Sequence, residues 1–206
     1  NADGFREGRL AFRPITLFDT SRQRVGLAGE VILPAELPAH RLGPRDTARL
    51  DRASRLLIHA ADEAWRQAGW DDAVRSETLP LCLGTSAGAM TLGEAYYEQA
   101  IATPARRRGQ TTRIRNYQTH RQAVHLAGAL GFAGPVTIIS NACASGANAI
   151  GHACRLIRRG ESERVFAGGY DALARLVFAG FDSLQALTTH VPPRPFDAHR
   201  DGLALG

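Results

Sequence analysis

One stretch of the sequence combines residue types and spacing that could do covalent chemistry: Gly134-Pro135-Val136-Thr137-Ile138-Ile139-Ser140-Asn141-Ala142-Cys143-Ala144-Ser145-Gly146. The β-branched run Val136 to Ser140, bounded by Pro135, reads as a buried strand. A helix is expected over Ser145 to Arg159, stopped by Gly160. Cys143 falls in the sharp turn between them, where hydrolases with a Gly-x-Ser-x-Gly elbow hold their nucleophile. A helix N-terminus offers free N–H groups and a partial positive charge, which favour thiolate over thiol. The backbone N–H of the nucleophile can itself donate to an oxyanion. Ala142, Ala144 and Gly146 leave room for a substrate. A lone cysteine among alanines and glycines also matches an inert core position, and spacing alone leaves both readings open. Cys82, within a strand, and Cys154, in mid-helix, fit the inert description better.

The elements that would position this turn alternate between strand and helix. Val25 to Leu33 reads as a strand, and Asp46 to Ala68 as a helix with Leu50, Ala53, Leu57, Ala60, Ala61, Ala64 and Trp65 at steps of three and four. Arg45, Arg49, Arg52 and Arg55 fall on or beside its N-terminal half, where positive charge opposes the helix dipole. Leu79 to Leu83 reads as a strand entering the turn Gly84-Thr85-Ser86-Ala87-Gly88, with a helix after it. Residues 103–116 are polar and basic and read as an exposed loop. Arg121 to Leu130 reads as a helix closed by Gly131, and Arg164 to Ala167 as a strand followed by Gly168-Gly169. A short apolar segment, Val177 to Leu187, precedes a Pro-rich stretch at 192–196. The class is α/β, with a mixed or parallel sheet.

Composition sets the bounds. With 206 residues, 44% hydrophobic and 22% charged, the chain can bury a sizeable core, alone or as part of a larger domain. No apolar run reaches the length of a membrane span, and the start does not read as a signal peptide. Three cysteines without framework spacing argue against a disulfide scaffold and for a reducing compartment, hence a cytoplasmic location. No Cys/His spacing suggests a metal site, and no cofactor motif is present. The formal charge of +5 comes from arginine, since the sequence contains no lysine. A nucleic-acid partner would fit the Arg106 to Arg115 run, but aromatics are not interleaved with it and no recognition-helix motif is present. The chain starts at Asn and ends on Leu203-Ala204-Leu205-Gly206, so incompleteness at both ends is expected.

The run from Gly134 to Ile150, with Ala142-Cys143-Ala144-Ser145-Gly146 at its core, resembles the active-site signature of β-ketoacyl-(acyl carrier protein) synthases of the elongating, synthase II-like kind. Three further blocks resemble the same family in order and spacing. They are Gly84-Thr85-Ser86-Ala87-Gly88, Ala167-Gly168-Gly169-Tyr170-Asp171, and Pro195-Phe196-Asp197-Ala198-His199-Arg200-Asp201-Gly202. The early region, with Pro14-Ile15 and Phe18-Asp19-Thr20, is similar as well. The resemblance covers nearly all of residues 1–206 and identifies them as an N-terminal β-ketoacyl synthase domain. It implies a thiolase-like layered α/β/α fold, of which this is the N-terminal half with a mixed sheet.

The resemblance also implies a reaction. The acyl chain from an acyl carrier protein would be held as a thioester on Cys143 and then condensed with malonyl carrier protein by decarboxylative Claisen reaction, in fatty acid or polyketide synthesis. The alternative within the family is a non-condensing partner subunit, against which the presence of Cys143 argues. The family's two catalytic histidines and its lysine have no counterpart here. His40, His59, His120, His125, His152, His190 and His199 all lie in other contexts, so residues 1–206 alone are expected to be inactive. By the same resemblance Ala87 and Phe181 would border the acyl pocket, Arg45 and Arg49 would meet the acidic carrier, and Arg106 to Arg108 and Arg113 are weaker candidates for that contact. Each also fits a plainer role, in packing or as a solvated side chain. Gln185 departs from a basic position found in some relatives. A homodimer, or a heterodimer with a related synthase subunit, is the expected assembly.

Overall fold

A computed structural model describes residues 2–70, 78–104, 110–190 and 193–206. In chain order the elements are α1 (Ala2–Arg6), β1 (Arg13–Pro14), β2 (Leu27–Ala28), α2 (Pro44–Thr47), α3 (Arg52–Gln67), β3 (Leu81–Gly84), α4 (Met90–Ala102) and α5 (Thr111–Tyr117). They continue with α6 (His120–Leu130), β4 (Val136–Ile139), α7 (Ser145–Arg158), β5 (Phe166–Gly169) and α8 (Arg175–Ser183). The chain divides into two compact units: Leu33–Ala172 forms one, and Asn1–Ile32 with Leu173–Gly206 the other.

The larger unit is built on a parallel three-stranded sheet of order β4-β3-β5. Alternation along β3 sends its side chains to two faces. Leu81 and Leu83 join a core with Ala53, Leu57, Ile58, Ala61 and Trp65 of α3 and Ala123, Leu126, Ala129 and Leu130 of α6. Cys82 and Gly84 face the other way, and at Gly84 the first turn of α7 lies directly on the strand. Helices on both faces of a parallel sheet are the layered α/β/α arrangement expected from the sequence. Full burial of Ile58 and Leu126 contributes about 1.5–3 kcal/mol each. An aromatic chain, Trp70–Trp65–Phe132–Phe166, extends the core with ring centroids 5.3, 5.6 and 5.3 Å apart. α6 ends at Gly131, whose left-handed φ of 79° returns its N–H to Ala127 O.

Several expectations change. The helix expected over 46–68 is two helices, because Asp51 breaks the periodicity: it is the N-cap of α3 and accepts from Ser54 N at 3.2 Å. Arg45 therefore sits in the last turn of the short α2, where a cation suits the dipole, and Arg49 precedes α3. Arg55 donates to Pro34 O and Ala35 O. Residues 111–117 form α5 rather than a loop, with Gln110 and Asn116 buried and Arg113 bonded to Gln110, Gln99 and Ala95 O. Strand β4 is a sheet edge, not a buried strand, and Val136 is 40% exposed. The strand expected over 25–33 shrinks to Leu27–Ala28, paired antiparallel with Arg13–Pro14.

In the smaller unit Val25, Ala28, Leu173, Phe178 and Leu187 form a separate core, with Phe181 packed against it. Most of the segment Val177 to Leu187 is the helix α8. The Pro195–Gly202 block closes this unit. Asp201 accepts from Thr188 Oγ1, Thr189 N and Oγ1 (2.8 and 2.7 Å) and His190 Nδ1 (3.0 Å), and the Thr188 hydroxyl first among these holds its carboxyl well below the usual range. That block is a clasp on residues 186–190.

Between α3 and α6 lies a buried polar chain. Ser54 Oγ donates to Asp51 Oδ1 and meets His125 Nδ1 at 2.9 Å. Burial first, then Arg121, pushes the His125 imidazole below its ordinary value, with Asp51 opposing. The folded state thus resists a proton that the unfolded chain accepts near pH 6.5, so stability falls as pH drops through that value and continues to fall toward the depressed one. In urea titrations between pH 7.5 and 5.5, the midpoint should fall with pH, and His125→Gln should flatten that fall. An unchanged slope in the variant would show that His125 does not carry the effect.

Candidate active site

The carboxyl ends of the three parallel strands meet at one edge of the sheet. Thr85 N bonds Ile139 O at 3.1 Å and Tyr170 N bonds Gly84 O at 3.0 Å, so the turns after β4, β3 and β5 are held side by side. In parallel α/β sheets this is the edge where ligands bind. The turn after β4 carries Cys143, which is exposed together with Asn141, Ala142 and Ala144. Helix α7 starts two residues later, as the motif requires.

Backbone packing fixes the turn. A Cβ on Gly84 would lie 2.2 Å from both the carbonyl carbon and oxygen of Ser145 and 2.5 Å from Gly146 N. Gly169 is tight but less so: a Cβ there would lie 3.2 Å from both Gly146 Cα and Gly84 O. Glycine at the ends of β3 and β5 therefore lets the first turn of α7 rest on the sheet with no side chain between. The turn itself is unusual: Ala142 has a left-handed φ of 57°, a conformation that costs a non-glycine residue about 1–2 kcal/mol. Hydrogen bonds oppose that cost. Ala142 O accepts from Ser145 Oγ (2.6 Å), Ser145 N (3.0 Å) and Ser86 Oγ (2.7 Å), while Asn141 N donates to Ser145 Oγ (2.8 Å). Ser145 is buried.

The turn after β5 supplies a carboxylate that the motif reading overlooked. Asp171 Oδ1 accepts from Thr85 Oγ1 (2.8 Å), Ser86 N (3.1 Å), Ala87 N (2.7 Å) and Gly88 N (2.8 Å). The Gly-rich turn thus wraps a side chain, and Gly88 at φ 53° completes the curl. The signal available in the sequence was an acid just past Gly168-Gly169. Beside it the Tyr170 phenol donates to Thr119 O at 2.6 Å; burial first, then Asp51 and Asp171, pushes its proton affinity up.

Ala87 sits in the Gly-rich turn beside these bonds, half-buried. Arg45 and Arg49 are exposed in the same unit as Cys143, and Arg113 is taken up by the α4–α5 contacts. Arg106, Arg107 and Arg108 lie outside the described residues. Phe181 belongs to the smaller unit and its core. Cys82 is buried, and burial pushes its thiol up. Cys154, expected to be inert, is exposed on α7. Among the described residues no group of three or more His, Cys, Asp or Glu could hold a metal ion, and no described helix is long and apolar enough to cross a membrane.

The family Beta-ketoacyl synthase, N-terminal domain, matches residues 7–206. The chain belongs to the β-ketoacyl synthase family. It is 32% identical to the tetracenomycin polyketide synthase ketoacyl synthase alpha subunit of Streptomyces glaucescens over 97% of this chain and 49% of that protein. Among solved structures, the ishigamide ketosynthase/chain length factor matches 98% of this chain and 50% of its own, at 31% identity and a TM-score of 0.86. The ketosynthase ApeO in complex with its chain length factor ApeC, from Xenorhabdus doucetiae, matches 83% of this chain and 42% of its own, at 28% identity and a TM-score of 0.67. This β-ketoacyl synthase chain spans about half the length of the curated relatives it matches. Its fold is that of the ketosynthases, thiolase-like, and the three sequence blocks in the larger unit map onto the three strand-end turns.

Proposed function

We propose that this chain is the acyl-loading part of a condensing β-ketoacyl synthase. The observation that carries this is the exposed Cys143 at the carboxyl ends of the parallel strands, on a turn braced by three hydrogen bonds to Ala142 O. Cys143 Sγ attacks the carbonyl carbon of an acyl carrier protein thioester. The carbon–sulfur bond to the carrier breaks, the carrier thiol leaves with a proton, and the acyl chain stays on Cys143. Malonyl carrier protein then loses carbon dioxide, and its carbanion attacks the acyl-cysteine and expels the Cys143 sulfur. The enolate-stabilising histidines and lysine of the family belong to the part of the family's length that this chain does not span, so residues 1–206 by themselves would not complete the reaction. The similarity to two ketosynthase structures with chain length factors supports a heterodimer with a related subunit as the working assembly.

Arg45 and Arg49 are exposed one helical turn apart in sequence and carry no acidic partner in the described contacts, which suits an acidic carrier. In the full-length protein, supplied with acyl and malonyl carrier proteins, turnover to the β-ketoacyl carrier is expected. In Arg45→Glu/Arg49→Glu the KM for carrier should rise about tenfold at low salt, with kcat nearly unchanged and the difference shrinking as salt is added. A KM that does not respond to the double charge reversal removes these residues from the docking surface. Loading without turnover in the complete assembly would favour the non-condensing subunit.

A further inference from the structure

We infer that Asp171 and Ser86 are positioning residues that aim the backbone N–H of Cys143, and through it set the rate of acyl transfer. The inference rests on the reading of Cys143 as the nucleophile.

The connection runs through bonds already described. Asp171 Oδ1 gathers Thr85 Oγ1 and the N–H groups of Ser86, Ala87 and Gly88. Four donors on one oxygen fix the turn that carries Ser86. Ser86 Oγ then reaches across to the neighbouring strand-end turn and donates to Ala142 O at 2.7 Å. The Ala142 carbonyl and the Cys143 N–H belong to one planar trans peptide and point in opposite directions. Holding that oxygen therefore holds that N–H. Ala142 lies at φ 57°, a conformation a non-glycine residue keeps only when its surroundings enforce it, and Ser86 and Ser145 are the enforcing groups. When a nucleophile attacks a thioester, negative charge develops on the carbonyl oxygen, and an N–H of the nucleophile's own peptide is placed to receive it. The described hydrogen bonds of Asp171 go to Thr85, Ser86, Ala87 and Gly88 and not to Cys143, so it acts through the turn.

A donor that is aimed at an oxyanion matters for acyl transfer and not for a displacement that forms no oxyanion. This separates positioning from general loss of structure. In the full-length protein, the loading rate of Cys143 from an acyl carrier thioester is compared with its alkylation by iodoacetamide. Asp171→Ala is expected to slow acyl loading about 10–100-fold while alkylation changes less than about threefold. Asp171→Asn keeps an acceptor oxygen in place and should restore loading to within about threefold of wild type. Ser86→Ala deletes one exposed hydroxyl, leaves the turn bonded to Asp171, and should slow loading several-fold, again without a matching change in alkylation. Loading at the wild-type rate in both Asp171→Ala and Ser86→Ala overturns the inference. So does a parallel fall of loading and alkylation, which would mean general disorder of the turn. A wild-type protein that alkylates but never loads would instead sink the nucleophile reading, and this inference with it.

Discussion

Gly84→Ala is expected to abolish acyl loading nearly completely while leaving Cys143 chemically intact. The added Cβ would sit 2.2 Å from backbone atoms of Ser145 and 2.5 Å from Gly146 N. These are helix backbone atoms, not the ends of flexible side chains, so α7 must lift from the sheet. Overpacking of this kind costs about 1–3 kcal/mol and sometimes more. The larger effect is local: a nucleophile displaced by about 1 Å loses on the order of 100-fold in rate. Gly151→Ala, on the same helix α7, is the control, since its Cβ would meet nothing within 4 Å. Loading rates and denaturation midpoints of the two variants check this. Equal behaviour of Gly84→Ala and Gly151→Ala would contradict the packing described here.

Gly134→Ala should be the more damaging change to the fold. Its Cβ would lie 2.0 Å from Leu79 O and 2.4 Å from Leu79 C, where the chain enters β3. Gly134 also precedes the residue whose carbonyl accepts from Leu81 N at 2.9 Å, so the clash falls at the start of the β3–β4 ladder. With no soft neighbour to give way, a loss of about 3 kcal/mol or more is expected, a large fraction of the roughly 5–15 kcal/mol that holds a domain folded. Soluble yield and the circular-dichroism melting curve report it; a melting temperature within 2 °C of wild type, a tolerance chosen as roughly 0.5 kcal/mol in a domain of this size, would contradict it. Gly134 thus belongs to the Cys143 signature for a structural reason, nine positions away from the sulfur.

The strand, turn and helix around Cys143 were legible because each is written locally. Pro135 and a β-branched run make β4, and Ser145 to Arg158 carries a helix that stops at Gly160. The elements that misled are those where local and tertiary signals diverge. The apolar spacing of 50–65 runs through Asp51, so its role as an N-cap is hidden until its carboxylate is seen on Ser54 N. Residues 111–117 are polar enough to read as a loop, yet Gln110, Arg113 and Asn116 spend their polar groups on the carbonyls of Tyr96, Ala95 and Arg49. Asp171 was part of a recognised block but had no role, because its four donors lie more than eighty positions earlier. Pairing over such distances depends on strand order β4-β3-β5, which no local pattern encodes.

The most direct test of the central claim is the intact mass of the full-length protein before and after incubation with an acyl carrier protein thioester. Wild type and Cys154→Ala should each gain one acyl group, and Cys143→Ala none, with unchanged stability because the Cys143 side chain is exposed. An acyl group retained by Cys143→Ala, or none gained by the folded wild type, would contradict the assignment of Cys143 as the residue that carries the chain.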